Sequence, residues 1–221
     1  HGILHSFPTR RSSDLDDIIR PVSPVPGRRP RRQRTRQVAP LPRFVVLLRG
    51  VNVGKGHKVP MAEFRAMLEN LGHTSVRTLL NSGNAVFTST LRSPARLAAD
   101  IAAALAARFG VTTPVIVKSS AEFTRIVGDN PIVPPASDHS RFLVVFAMEA
   151  ARIQALDVLQ AMVQPGELLA ITGHAAYLHC AGGILESKVA EALLGRTGRD
   201  LTTRNWATVL KLSAWLGEQA A

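Results

Sequence analysis

The chain has 221 residues, 27 Lys plus Arg against 16 Asp plus Glu, a formal net charge of +11, one cysteine and 46% hydrophobic residues. That length holds one ordinary domain or two small ones with a filled core, so a wholly disordered chain is excluded. A single cysteine, Cys180, excludes an internal disulfide framework; no C-x-x-C or Cys/His spacing suits structural zinc, and the expected location is cytoplasmic.

Residues 1–42 hold 9 Arg, no Lys and 3 Asp, a net +6 that leaves only +5 for residues 43–221. This Pro- and Arg-rich stretch has neither a period of 2 nor one of 3.6 and is expected to be a disordered tail. Arg10-Arg11 is followed by Ser12-Ser13-Asp14-Leu15 and not by the apolar run an export signal needs. A basic arm could neutralise phosphates. However, Ser6-Phe7-Pro8-Thr9-Arg10-Arg11-Ser12-Ser13-Asp14-Leu15 is the translation of the sequencing-adapter text TCT TTC CCT ACA CGA CGC TCT TCC GAT CT. Residues 1–15 are therefore read as translated adapter, in keeping with a chain that opens on His1 and has no Met before Met61.

The run from Arg43 to Arg49 reads as a buried strand, and a helix is predicted over 60–71 with Phe64, Met67, Leu68 and Leu71 on one face. Strands over 76–80 and 85–88 meet at the hairpin Asn81-Ser82-Gly83-Asn84. Ser93-Pro94 opens a helix carrying Leu97, Ile101, Leu105 and Phe109, and a fourth strand covers 113–118. Ser119 and Glu122 form a capping box for a short helix.

Asp129-Asn130-Pro131 with Pro134-Pro135 marks a boundary between halves 43–130 and 131–221. Beyond it come a strand over 142–147, a helix with Ile153, Leu156, Leu159 and Val163 inward, and a hairpin of 168–172 with 175–179. A helix over 186–194, a short strand near Leu201 and a last helix from about Arg204 follow, the last with Trp206, Leu210, Ser213 and Leu216 on one face. The fold class is α+β: two ferredoxin-like (β-α-β-β-α-β) units in tandem plus a C-terminal helix. No apolar stretch of about 20 residues occurs, so no membrane span is expected.

Three strings stand out: Leu47-Leu48-Arg49-Gly50-Val51-Asn52-Val53-Gly54, Met61-Ala62-Glu63-Phe64-Arg65, and Val76-Arg77-Thr78 with Asn81-Ser82-Gly83-Asn84-Ala85-Val86-Phe87. With Tyr177-Leu178-His179, Ser187-Lys188 and Thr202-Thr203-Arg204-Asn205-Trp206, they resemble the bacterial family of the domain of unknown function 1697, from Arg43 to about Leu216. The resemblance implies a two-part α+β fold and no established activity. Lys55 departs from it, standing where the family more often has another Gly.

In a β-α-β-β-α-β unit the loop after strand one and the hairpin between strands two and three emerge at one end of the sheet. Arg49, Lys55 and Lys58 would supply cations there, and Asn52, Asn81, Ser82 and Asn84 neutral donors. Glycines would let backbone N–H groups approach an anion. Gly50-x-x-x-Gly54-Lys55-Gly56 is not a Walker A loop, because one spacer residue and the Ser/Thr after Lys are missing. The bland alternative is that Arg49 pairs with a carboxylate such as Glu63 while the Gly and Asn residues serve turns.

Arg204 and Asn205 are a second candidate, at a helix start where a cation is disfavoured, so Arg204 either binds an anion or pairs with Asp200. Lys188 is expected on a solvated helix face, and Trp206 in the core. His179 and Cys180 are adjacent in a strand and face opposite ways, so no metal is expected, and no cofactor is implied. Phe44, Phe87 and Phe142 are expected in the core, not as base-stacking platforms. The leading expectation is a phosphate-bearing partner, nucleic acid or nucleotide. A small-molecule enzyme using the same pocket, and a protein-interaction or homodimer module, are the alternatives.

Overall fold

Phe44 to Leu48 and Phe142 to Phe146 are buried at every residue, without the alternation of a strand that has one wet face. Both are interior strands of sheets covered on both faces, which demands continuous apolar runs. The computed structural model describes Gly2 and residues 40–54 and 57–218. The expectations for the tail up to residue 39, including the adapter reading, and for Lys55 lie outside the described residues.

The first sheet comprises β1 (Arg43–Leu48), β2 (Thr74–Leu79), β3 (Asn84–Thr88) and β4 (Val115–Ser119), in the order β2-β3-β1-β4 with every pairing antiparallel. The second comprises β5 (Phe142–Phe146), β6 (Leu168–Ile171), β7 (Ala176–His179) and β8 (Thr202–Asn205), in the order β6-β7-β5-β8, again antiparallel throughout. Six α-helices accompany them among the described residues: α1 (Met61–Asn70), α2 (Pro94–Phe109), α3 (Ser120–Gly128), α4 (Ala150–Gln154), α5 (Lys188–Leu194) and α6 (Trp206–Gly217).

Alternate side chains of β1 serve different layers, as a strand period of 2 requires. Phe44, Val46 and Leu48 pack under Phe64 and Leu68 of α1 and Leu97 and Ile101 of α2. Val45 and Leu47 face Phe123 and Ile126 of α3 and Val209 and Leu212 of α6, which also cover Phe142, Val144 and Phe146 of β5. The outer face of the second sheet, with Leu143 and Val145, packs on Ile153, Leu156, Leu159, Val189 and Leu193. The sheets thus share a middle helical layer, with α6 touching β1 and β3 on one side and β5 and β8 on the other. Residues Pro40–Ala221 accordingly form one unit.

Local signals act as their chemistry predicts in several places. The Ser93 side chain caps α2 by accepting from Arg96 N–H at 3.3 Å, Pro94 opens the helix, and Gly110 closes it at φ 65°. Ser119 and Glu122 form the reciprocal capping box of α3. The segment predicted as one helix around Ile153 is instead α4 followed by a 3-10 helix, Ala155–Met162. Thr202 to Asn205 pair with β5 as a strand, so the last helix begins at Trp206, and its buried face is Trp206, Val209, Leu212 and Leu216, with Leu210 outside.

The sheet edges are obstructed. The β2 edge carries an irregularity between Thr74 and Arg77 with Ser75 at φ 52°, and Met148 Sδ takes the Val117 N–H of β4 at 3.2 Å. Gln160 and Gln154 side chains donate to the carbonyls of Leu169 and Thr172 at the β6 edge, at 3.2 and 2.7 Å. Among the described residues no helix is long and apolar enough to cross a membrane.

Candidate functional site

The loop after β1 and the β2–β3 hairpin are bound to each other. Leu48 N–H donates to Gly83 O at 2.8 Å, and Asn52 Nδ2 donates to Asn81 O and Val59 O, each at 2.8 Å. Val59 N–H returns a bond to Asn52 Oδ1 at 2.8 Å, so Asn52 braces the loop from a left-handed backbone at φ 58°. Gly83 is dictated by space as well as by its φ of 72°: a Cβ there would lie 2.6 Å from Leu48 Cβ and 2.8 Å from Val51 Cγ2. Asn84, fully buried, donates through Nδ2 to Leu79 O and Ser82 Oγ, each at 3.0 Å.

Arginines then cross between the sheets in both directions. Arg204, on β8 and 8% exposed, reaches the end of β1 and the hairpin. Its Nε donates to Asn84 Oδ1, Nη2 to Leu48 O (2.6 Å) and Ser82 O (2.9 Å), and Nη1 to Thr202 Oγ1 and Thr203 O (2.7 Å each). Every guanidinium N–H is thereby engaged, and burial away from water pushes its pKa down to about 10.

Arg49 reaches the opposite way, to carbonyls at and beyond the C-terminus of α5: Leu194 O at 2.8 Å, Gly195 O at 3.2 Å, Leu201 O at 2.8 Å, and Gly198 O. A cation belongs at a helix C-terminus, where carbonyls lack intrahelical donors. Burial lowers the Arg49 pKa, partly opposed by the charge of Asp200.

Neither arginine pairs with a carboxylate among the described residues. Glu63, the partner expected for Arg49, pairs with Arg108 at 3.3 Å, and Asp200, the partner expected for Arg204, pairs with Arg152 at 2.9 Å. In place of those carboxylates, Arg49 is held by backbone carbonyls and Arg204 by carbonyls with Asn84 Oδ1 and Thr202 Oγ1.

Between these arginines lies a cavity of about 610 Å³. Its polar lining is Arg49, Ser82, Thr202, Thr203 and Arg204, and its aliphatic lining is Leu48, Val51, Val53 and Leu194. From Gly50 to Gly54 the backbone φ alternates in sign, being positive at Gly50, Asn52 and Gly54. Backbone N–H nests for anions are built on such alternation. Among the described residues the N–H groups of Gly50, Val51 and Val53, the Arg49 Nε–H and the Thr203 hydroxyl have no hydrogen-bond partner.

The family model described as Protein of unknown function (DUF1697) matches residues 41–177. The chain belongs to the DUF1697 family. The matched span of this DUF1697 chain includes loop 49–58 and hairpin 81–84 and stops short of Arg204. Among solved structures, a conserved bacterial protein, SP0830 from Streptococcus pneumoniae, is similar to it at a TM-score of 0.66 and 26% identity, over 80% of this chain and 99% of that one. No curated protein matches it.

Of the residues singled out in this DUF1697 sequence, Arg49, Ser82 and Arg204 line the cavity, while Asn52, Asn81 and Asn84 form its frame. Lys58 is exposed and donates to Gly54 O at 3.4 Å. Asn205 stands apart, accepting from Thr208 N–H at 2.9 Å as the N-cap of α6. Thr203 and Leu194 join the lining without belonging to the predicted site, although the string Thr202-Thr203-Arg204 places Thr203 beside a predicted site arginine. No group of three His, Cys, Asp or Glu placed to hold a metal occurs among the described residues.

Proposed function

We propose that this DUF1697 protein binds a small phosphate-bearing ligand in the cleft between its sheets, through loop 49–58, hairpin 81–84 and the Thr203–Arg204 strand. The observation that carries the reading is a cavity wall with two guanidinium groups and no carboxylate. Hydrogen bonds to carbonyls orient both cations without cancelling their charge, so an anion entering the cavity meets a field already in place. Contacts come from the loop N–H groups that have no partner among the described residues and from the Thr203 and Ser82 hydroxyls. A ligand of nucleotide size or smaller is favoured over a nucleic-acid strand, because Phe44, Phe87 and Phe142 are all 1% exposed or less and offer bases no stacking surface.

The architecture belongs to the same reading. Both halves place their first strand between their third and fourth, with the second outside, which supports two tandem ferredoxin-like units, residues 43–130 and 131–221, closed by α6. The test is calorimetric titration of the full chain with inorganic phosphate and pyrophosphate at low and high salt. Binding that weakens with salt, and roughly tenfold weaker binding by Thr203→Val, is the expected result. No binding of either anion at millimolar concentration and low salt would overturn the reading.

A further inference from the structure

Resting on that reading, the chemistry of the aliphatic lining goes one step further: we infer that the ligand carries an aliphatic group beside its phosphate, not a nucleobase. Leu48, Val51, Val53 and Leu194 all line the cavity, Leu48 and Val51 from buried positions and Val53 and Leu194 from exposed ones. Val53 and Leu194 are 68% and 54% exposed, so this lining presents to water a surface that an alkyl chain would cover.

The groups that would read a base are missing. Among the described residues lining the cavity there is no aromatic ring, Asn, Gln, Asp or Glu. Recognition of a flipped or free base uses stacking between rings and hydrogen bonds to its edge. The polar side chains present are arginines already bound to carbonyls and short hydroxyls beside them, which suit an anionic head. A volume of about 610 Å³ takes a short-chain alkyl phosphate whole.

Full-length protein is titrated with inorganic phosphate, butyl phosphate, hexyl phosphate, ribose 5-phosphate and adenosine monophosphate. Affinity rises along the alkyl series by roughly fourfold per buried methylene, and adenosine monophosphate binds no tighter than ribose 5-phosphate. In Val53→Ser and Leu194→Ser, each checked for native folding by circular dichroism, the ratio of hexyl phosphate to inorganic phosphate affinity falls towards one. If phosphates bind but the alkyl series is flat, or if adenosine monophosphate outbinds hexyl phosphate, the aliphatic assignment is wrong while the anion site stands. If no phosphate compound binds, the anion site itself falls, and this inference with it.

Discussion

Replacing Arg204 by Met tests the central structural element. The guanidinium is nearly inaccessible and satisfies Asn84 Oδ1, the carbonyls of Leu48, Ser82 and Thr203, and Thr202 Oγ1. Methionine keeps much of the aliphatic stem and removes all five donors. Leu48 O retains a long bond from Thr202 Oγ1 at 3.4 Å, so its loss is partial, whereas Ser82 O and Asn84 Oδ1 are left without their Arg204 donor. An orphaned buried acceptor costs roughly 1–3 kcal/mol, and the gross loss over these groups exceeds 5 kcal/mol on that scale. Against it stands relief of the charge's desolvation, several kcal/mol for an ion taken out of water. The net expectation is a loss of about 3 kcal/mol, near 10 °C in melting temperature for a unit of this size. Equilibrium urea denaturation of the full chain measures it, with an unchanged slope certifying that the same transition is being compared. An Arg204→Met protein within about 0.5 kcal/mol of wild type would show that desolvation cancels the hydrogen bonds and would refute the view of Arg204 as a clasp.

Two glycines with similar backbones should respond differently to alanine. Gly83→Ala meets Leu48 Cβ at 2.6 Å as well as a φ of 72°, for a loss of roughly 2–5 kcal/mol in thermal or chemical denaturation, whereas Gly110→Ala, at φ 65° with open space, costs about 1 kcal/mol. His73 is buried against Phe87 at 4.6 Å between ring centroids with Nε2 unpaired, and burial holds its pKa below 6.5 despite the charge of Asp100. The unfolded chain therefore binds this proton first, so stability is full above pH 6.5 and declines as pH falls from there through the lower folded value. Stability measured between pH 7.5 and 5 should decline less in His73→Leu than in wild type, and identical profiles would remove His73 as a source of acid sensitivity.

The legible parts of this fold are those decided locally or by complete burial. Phe142 to Phe146 reads as an interior strand because nothing polar interrupts it, and Ser93-Pro94 reads as a helix start because both residues suit that position irrespective of surroundings. The start of the last helix, predicted near Arg204 and found at Trp206, shows the limit. Thr202 and Thr203 are as good N-caps as Asn205, and only pairing of Thr202 to Asn205 with β5 selects the strand. The change from α4 to a 3-10 helix carried no signal, because Ile153, Leu156 and Leu159 at intervals of three, with Val163 four further on, fit one face of an α-helix as well. The juxtaposition of loop and hairpin followed from topology, but the partners of Arg49 and Arg204 did not. Apart from Asn84 Oδ1 and Thr202 Oγ1, they are backbone carbonyls, which every residue possesses and no side-chain pattern announces.

That choice of acceptor bears on the charge of the site. A paired carboxylate would have balanced each arginine, while carbonyls orient the cations and leave two positive side chains lining one cavity, with the charge of Asp200 acting on Arg49 from a distance. Their repulsion is measurable by a double-mutant cycle. Arg49→Met and Arg204→Met each lose hydrogen bonds and each gain relief from the other cation; the double variant gains that relief only once. Its loss of stability should therefore exceed the sum of the single losses, by an amount on the order of 1 kcal/mol at low salt. High salt should shrink the excess, and saturating phosphate should shrink it too, because an anion bound by the parent offsets the repulsion between its two cations. Additivity within about 0.5 kcal/mol at low salt would mean that the two charges do not sense each other, and would refute their repulsion.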